Sequence, residues 1–150
     1  MSPPRSWFAT FLLAAFAFGG CAARDDAAAG EQGVRTFLMG TFDRPEARLS
    51  VPSVALVDAY AVAGWIQSGH GGRTLLRRSS AGWEFVVCGG AGLTSPDGLV
   101  EAGLDPSLAR RMVVAVREAE AALAPAEHRL LGSFQGLMKI EGAGHPPPKR

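Results

Sequence analysis

The feature that most constrains this chain is a set of four strand-like runs joined by very short connections. The runs are rich in β-branched, aromatic and aliphatic residues, and they cover residues 53–57, 60–67, 73–78 and 83–88. The connections are Asp58-Ala59, the segment 68–72 and the segment 79–82. Because connections this short allow only hairpins, the sequence predicts a four-stranded antiparallel β-meander.

Helical patterns flank the predicted meander on both sides. Apolar residues at helical spacing predict an N-terminal helix over 34–41. After the meander, Ser95-Pro96 and Asp105-Pro106 each place a capping residue before a proline at the first helical position. The first pair predicts a short helix and the second a long one, over 106–123. The apolar stripe of the long helix consists of Leu108, Met112, Ala115, Val116, Ala119 and Leu123.

Loop lengths set the register of the predicted strands and therefore assign their side chains to two faces. A four-residue loop at 79–82 places Leu76 opposite Phe85 and Thr74 opposite Val87. The expected fold class is α+β, with the short and the long helix packed on one face of the sheet. That core face collects Tyr60, Val62, Ile66, Leu76, Trp83, Phe85 and Val87. A short strand is expected within the closing segment 129–141.

The opposite face of the predicted sheet carries the candidate binding residues. A five-residue loop at 68–72 places Gln67 opposite Arg73, and the register then brings Arg73 beside Cys88, with Trp65 nearby. A guanidinium next to a thiol favours the thiolate, which is the form that binds metals and attacks electrophiles. The alternative is that Cys88 is buried as a small apolar residue, as free cysteines often are.

The first twenty residues have the pattern of a signal peptide. Arg5 precedes an apolar run over 7–18, which is shorter than the roughly 20 residues needed to cross a bilayer. Gly19-Gly20-Cys21 resembles a bacterial lipobox, in which the cysteine is lipidated and becomes the first mature residue. The alternative is ordinary cleavage after Ala23, which would give a soluble periplasmic or secreted protein. The main expectation is a periplasmic lipoprotein, attached to the membrane through Cys21.

Composition divides the rest of the chain into three parts. Residues 21–32 are small and polar, which predicts a flexible tether, and residues 33–141 form the single expected domain. Residues 142–150 contain three consecutive prolines, which predicts a disordered tail. If Cys21 is lipidated or removed, Cys88 is the one thiol of the domain, and such a thiol can pair between molecules or bind a soft metal.

Charge and motifs exclude several classes of function. Removal of residues 1–20 takes away only Arg5 of the 15 basic residues, which leaves 14 against 14 acidic residues. Without a basic block the chain gives no reason to propose a nucleic-acid partner. GxSxG, HExxH and CxxC do not occur, so the expectation is a protein that is not an enzyme. Soft sulfur atoms select Cu(I), which makes Cys88, Met39 and Met138 the candidate metal ligands.

Three segments of the predicted sheet carry a resemblance to a known family. They read AVAGWIQ, GGRTLLRR and WEFVVCGG, and the similarity extends over about residues 33–140. The chain in this region resembles the copper uptake system-associated proteins, which are small exported bacterial proteins. The resemblance implies a non-enzymatic accessory of copper handling with a copper chaperone or transporter as a partner, but it implies no ligand set. The alternative is an envelope module that binds a small molecule or a protein on a curved sheet without metal.

The lipobox interpretation predicts that Cys21→Ala releases the protein from the membrane. In detergent phase separation of the expressed chain, the wild type should partition with the detergent because its lipid chains are apolar. The Cys21→Ala variant should remain in the aqueous phase. Equal partitioning of the two proteins would rule out attachment through Cys21.

Overall fold

The computed structural model describes residues 22–139. The expectations for the signal peptide, for Cys21, for residues 140–141 at the end of the domain and for the tail 142–150 lie outside the described residues. No helix within 22–139 combines the length and the apolar character needed to span a membrane.

The structure confirms the α+β class and the antiparallel meander, and it adds a fifth strand. Neighbouring strands pair in sequence order, so the sheet has the order β1-β2-β3-β4-β5. The strands are β1 (Leu49–Val57), β2 (Tyr60–Gln67), β3 (His70–Ser79), β4 (Gly82–Gly89) and β5 (Leu137–Lys139). The last strand forms within the closing segment, where a short strand was expected.

Four α-helices and one 3-10 helix surround the sheet. They are α1 (Ala22–Phe42), a 3-10 helix (Ala91–Thr94), α2 (Pro96–Glu101), α3 (Pro106–Glu120) and α4 (Pro125–Leu131). Ser95 caps α2 by accepting from the Gly98 amide, and Asp105 caps α3 by accepting from the Ser107 and Leu108 amides. Both predicted helix starts are therefore confirmed, with each proline in the first turn.

Two helix boundaries differ from the sequence-based expectation, and one helix was not expected. The segment 22–32 was expected to be a tether, but from Ala22 onwards it is the first half of α1. Its alanines favour helix, and the sequence between them contains no proline to interrupt it. Helix α3 ends at Glu120 rather than at residue 123, and α4 was not expected.

Both faces of the sheet are covered, so the domain has three layers. Helix α1 packs on one face, which we call the α1 face, and α3 packs with α2 on the other, the α3 face. The α1-face cluster contains Val34, Leu38, Leu49, Val51, Val54, Ala61, Ala63 and Leu76. The α3-face cluster contains Ala55, Val62, Leu75, Val87, Leu93, Leu99, Ala102, Leu104, Ala109, Met112, Val113 and Val116.

The predicted core face is wrong for the third and fourth strands. Leu76 is buried in the α1-face cluster, and Trp83 and Phe85 pack against that cluster rather than under the long helix. Tyr60, Val62 and Val87 do contact the α3-face cluster, as expected. The β2 side chains lie on the predicted face while those of β3 do not, because the register between β2 and β3 differs from the predicted one by an odd number of residues.

The turn between β2 and β3 has two residues rather than five. Gln67 pairs with His70, and Ser68 and Gly69 both adopt positive φ, at 51° and 77°. Two consecutive residues of this kind make a type I′ turn, whose twist matches that of the flanking strands. The predicted partner of Gln67 was Arg73, three positions further on, so every side chain of β3 lies on the opposite face from the one predicted.

Gly71 and Gly72, which follow the turn, belong to β3, where their lack of a side chain lets neighbouring segments pack closely against the strand. A Cβ atom at Gly71 would lie 2.9 Å from the carbonyl carbon and oxygen of Leu130 in α4. A Cβ atom at Gly72 would lie 2.9 Å from the Trp65 ring and 3.1 Å from the Cβ of Phe134. These residues therefore bring α4 and the segment around Phe134 against the sheet and do not form the loop.

A bulge in β4 explains why Val87 nevertheless lies on the predicted face. The expected pair Leu76–Phe85 is confirmed, but the register shifts immediately afterwards and Leu75 pairs with Val87. The extra residue is Val86, which locally reverses the alternation of faces. The predicted pair Thr74–Val87 is therefore wrong, since Thr74 pairs with Cys88.

Truncation of Leu76, which is fully buried, should destabilise the domain. We expect Leu76→Ala to lower the free energy of unfolding by about 2–5 kcal/mol, since it leaves a cavity under α1. Val114→Ala, at a 53% exposed position, should change it by less than about 0.5 kcal/mol. Urea denaturation measures both values.

A double-mutant cycle tests which layer covers Leu76. Val34 in α1 and Val116 in α3 are both buried, so Val34→Ala and Val116→Ala are matched partners. The decreases in the free energy of unfolding caused by Leu76→Ala and Val34→Ala should not add up in the double mutant, because the two side chains belong to one cluster. The decreases caused by Leu76→Ala and Val116→Ala should add up within about 0.5 kcal/mol. The reverse pattern would contradict the assignment of faces.

Candidate functional site

An apolar cavity lies between the C-terminal end of α1 and the sheet. Its volume is about 280 Å³. Its walls come from α1 and from strands β1 to β4, and they consist of Leu38, Phe42, Leu49, Trp65, Gln67, Thr74, Phe85 and Cys88. Ligand sites in proteins are typically concave and mostly apolar, with a few polar atoms, so this cavity is the candidate functional site.

The cavity occupies the part of the α1 face that α1 itself does not fill. Helix α1 ends at Phe42, while β3 continues along this face with the small residues Gly72 and Thr74. Thr74 pairs with Cys88, so another small side chain lies beside it. Larger side chains at Thr74 or Cys88, which both line the cavity, would occupy this space.

Aromatic contacts form one side of the cavity. The Phe85 ring lies 4.9 Å from the Phe37 ring and 5.4 Å from the Phe42 ring, measured between centroids. The Trp65 ring lies edge-on to the Phe134 ring at 6.3 Å. Tilted and edge-on pairs at these distances are favourable arrangements, so they hold the rings in position.

Gln67 ties the end of α1 to the sheet at the cavity wall. Its amide nitrogen donates to the carbonyl oxygens of Phe42 at 2.8 Å and of Ala47 at 2.7 Å. The Phe42 carbonyl belongs to the last turn of α1 and has no partner within the helix. Gln67 therefore satisfies a helix end and fixes the position of Phe42 over the sheet.

Cys88 lies in the cavity wall as a half-buried, protonated thiol. Its Sγ donates to Thr74 Oγ1 at 3.6 Å, and the Thr74 hydroxyl donates to the Val87 carbonyl oxygen at 3.2 Å. Burial raises the pKa of the Cys88 thiol above its ordinary value, and the hydrogen bond with Thr74 offsets only part of that increase. The predicted position of Arg73 beside Cys88 is wrong, because Arg73 pairs with Gly89 and Cys88 pairs with Thr74.

Arg73 lies on the other face of the sheet and does not reach Cys88. Its Nε and one terminal nitrogen donate to the two carboxylate oxygens of Glu120, both at 2.7 Å. The other terminal nitrogen donates to the carbonyl oxygens of Gly90 and Leu131. Of the four predicted binding residues, the structure thus brings together Cys88, Trp65 and Gln67, and it separates Arg73 from them.

Two of the three candidate sulfur ligands are neighbours. Cys88 in β4 pairs directly with Met138 in β5, so their side chains lie on the same face of the sheet. Met39 packs against the α1-face cluster and does not line the cavity. Across residues 22–139, no three His, Cys, Asp or Glu side chains form a group that could hold a metal ion.

The sequence did not indicate that Leu38, Phe42, Leu49, Thr74 and Phe85 belong to the site. The helical spacing of Phe37, Leu38 and Phe42 predicted an apolar helix face but not which side of the sheet it covers. Ser68-Gly69 was the signal for a two-residue hairpin turn, which would have placed Thr74 on the face of Trp65. Comparisons with family models, with curated proteins and with solved structures found no match.

The raised pKa of Cys88 predicts slow alkylation of the native thiol at neutral pH. The native rate should increase with pH with a midpoint above about 8.5, the ordinary thiol value, whereas the urea-unfolded chain should show that ordinary value. A native midpoint below the unfolded one would contradict the burial of the thiol.

The raised pKa of Cys88 also makes the free energy of unfolding depend on pH in the alkaline range. The unfolded chain loses its thiol proton first, so the domain should lose stability as pH rises from about 8.5 through the native pKa of Cys88. The matched variant Cys88→Ser lacks the thiol and should lack this loss when urea denaturation is repeated across the pH range.

Proposed function

We propose that this chain is an exported, non-enzymatic accessory of bacterial copper handling that carries Cu(I) at the sulfur atoms of Cys88 and Met138. The observation that carries the proposal is the direct pairing of these two residues across β4 and β5. The resemblance of the strands to copper uptake system-associated proteins supports the same cargo. A copper chaperone or transporter is the proposed partner.

The two sulfur atoms have the chemistry that Cu(I) prefers. Thiolate and thioether ligands are soft and select Cu(I) over the hard cations that carboxylates and carbonyl oxygens bind. Directly paired residues on one face of a sheet have Cβ atoms about 4.5–5.5 Å apart, and two sulfur-bearing side chains at that spacing can reach one ion. Met138 is 55% exposed, which keeps one ligand open to a partner protein.

The burial of Cys88 suits a site that releases its cargo. Cu(I) binds the thiolate, so binding must displace the thiol proton, and a raised pKa weakens binding at neutral pH. The affinity should therefore increase as pH rises toward the pKa of Cys88. A transfer protein needs such moderate retention, because the metal must leave for the next protein.

Attachment through Cys21 would hold the domain close to the membrane. Helix α1 is continuous from Ala22, and Gly30 is its first residue buried against the sheet among those whose side chains are described. Residues 22–29 would then form a helical spacer of about 12 Å, at 1.5 Å per residue, between the lipid and the domain. This geometry favours a partner in or near the same membrane.

An anaerobic titration of the reduced soluble domain with Cu(I), against a competing chelator, tests the cargo. The wild type should bind one Cu(I) per chain, and Cys88→Ser should lose that binding. Met138→Leu, which preserves size and apolar character, should weaken it by about tenfold or more, equivalent to about 1.4 kcal/mol. The control is Met39→Leu, which should leave the affinity unchanged.

Two results would count against the proposal. One is a reduced wild-type protein that takes up no Cu(I) in competition with the chelator. The other is an affinity that is the same for Met138→Leu and the wild type, which would remove the second sulfur ligand from the account.

A further inference from the structure

We propose that the cavity under α1 binds one small, neutral aromatic molecule of about two fused rings that carries a single hydrogen-bond donor. This ligand site is independent of the copper cargo, since it uses the space beside Cys88 rather than its sulfur. Three properties of the cavity lead to this ligand class: its size, its aromatic walls and the polar atoms on those walls.

The size of the cavity sets the size of the ligand. Its volume of about 280 Å³ is roughly twice that of the ~150 Å³ apolar cavity that admits benzene in another protein. Two fused aromatic rings fit such a space. An acyl chain much longer than about ten carbons exceeds this volume, so part of it would remain in water.

The walls favour an uncharged aromatic body. Three aromatic rings, those of Phe42, Trp65 and Phe85, face the cavity, and among the described residues no Asp, Glu, Lys, Arg or His lines it. A charged ligand would lose its hydration there without gaining a counter-ion. Phe42 is 41% exposed, so a large apolar side chain stands at the entrance, where it can contact an entering ring.

The polar atoms on the walls specify a donor on the ligand. The Thr74 hydroxyl has no proton left to offer a ligand, since it donates to the Val87 carbonyl oxygen and also accepts from Cys88. Both donations of the Gln67 amide nitrogen go to backbone carbonyls. Among the hydrogen bonds within 22–139, the Gln67 amide oxygen accepts none, and it is not buried, so solvent reaches it and a ligand donor could take the place of water. A phenol-type O–H or an indole-type N–H would supply one.

Calorimetric titration of the reduced, metal-free domain with 2-naphthol tests the ligand class. We expect saturable binding at one site with a Kd on the order of 10–100 μM, which is typical of a small ligand that buries most of its surface. The same ring without a donor, 2-methoxynaphthalene, should bind more weakly by about fivefold or more, since it leaves the Gln67 oxygen unpaired. The charged analogue 2-naphthoate should not bind.

Variants locate the site. Cys88→Leu should fill the cavity and abolish binding while keeping the melting temperature at or above that of the wild type. Phe42→Ala, at the exposed entrance, should weaken binding without unfolding the domain. Val114→Leu on α3 is the matched surface control and should bind 2-naphthol like the wild type.

Three outcomes would overturn the proposal. The first is an absence of saturable 2-naphthol binding to the folded wild type. The second is equal binding by Cys88→Leu, which would place the ligand elsewhere. The third is tighter binding of decanoate than of 2-naphthol, which would assign the cavity to an acyl chain.

Discussion

The two-residue turn at Ser68 and Gly69 determines which side chains share a face across the sheet. It pairs Gln67 with His70, and each later residue of β3 inherits its side of the sheet from that pairing. Thr74 consequently lies on the α1 face, where the bulge in β4 places Cys88 beside it, whereas Arg73 points toward α3. The turn thus sets the faces of Thr74 and Arg73, which contribute to the apolar cavity and to the buried ion pair on opposite sides of the same strand.

The Arg73–Glu120 pair connects the sheet to the segments that follow β4 in the chain and pack on the α3 face. The side chains are only 5% and 7% exposed, and the guanidinium also binds the carbonyl oxygens of Gly90 and Leu131. One side chain thereby links β3 to the end of α3, to the segment after β4 and to the end of α4. Loss of one member of such a buried pair typically costs about 3–5 kcal/mol, because the other charge is left without a partner.

Local signals in the sequence predicted local structure well. The hairpins, the Ser95 and Asp105 caps and the pair Leu76–Phe85 depend on residues close together in the chain, and the structure confirms them. The faces were predicted wrongly, because SGHGG is compatible with a five-residue loop as well as with the two-residue turn that Ser68-Gly69 forms. The difference depends on Gly71 and Gly72, whose close contacts are with Leu130, Trp65 and Phe134, residues that the loop itself does not contain. The wrong loop length also placed Arg73 on the wrong face, whereas Cys88, Trp65 and Gln67 line the same cavity, as predicted for one binding face.

Cross-strand NOEs between β2 and β3 test the register on which the site depends. The structure pairs Val62 with Leu75 and Trp65 with Gly72, so backbone protons of these pairs should show strong NOEs in the folded domain. The five-residue loop would instead place Leu75 opposite Trp65. NOEs between Trp65 and Leu75, without those between Val62 and Leu75, would contradict this register. Arg73 would then lie on the same face of the sheet as Trp65.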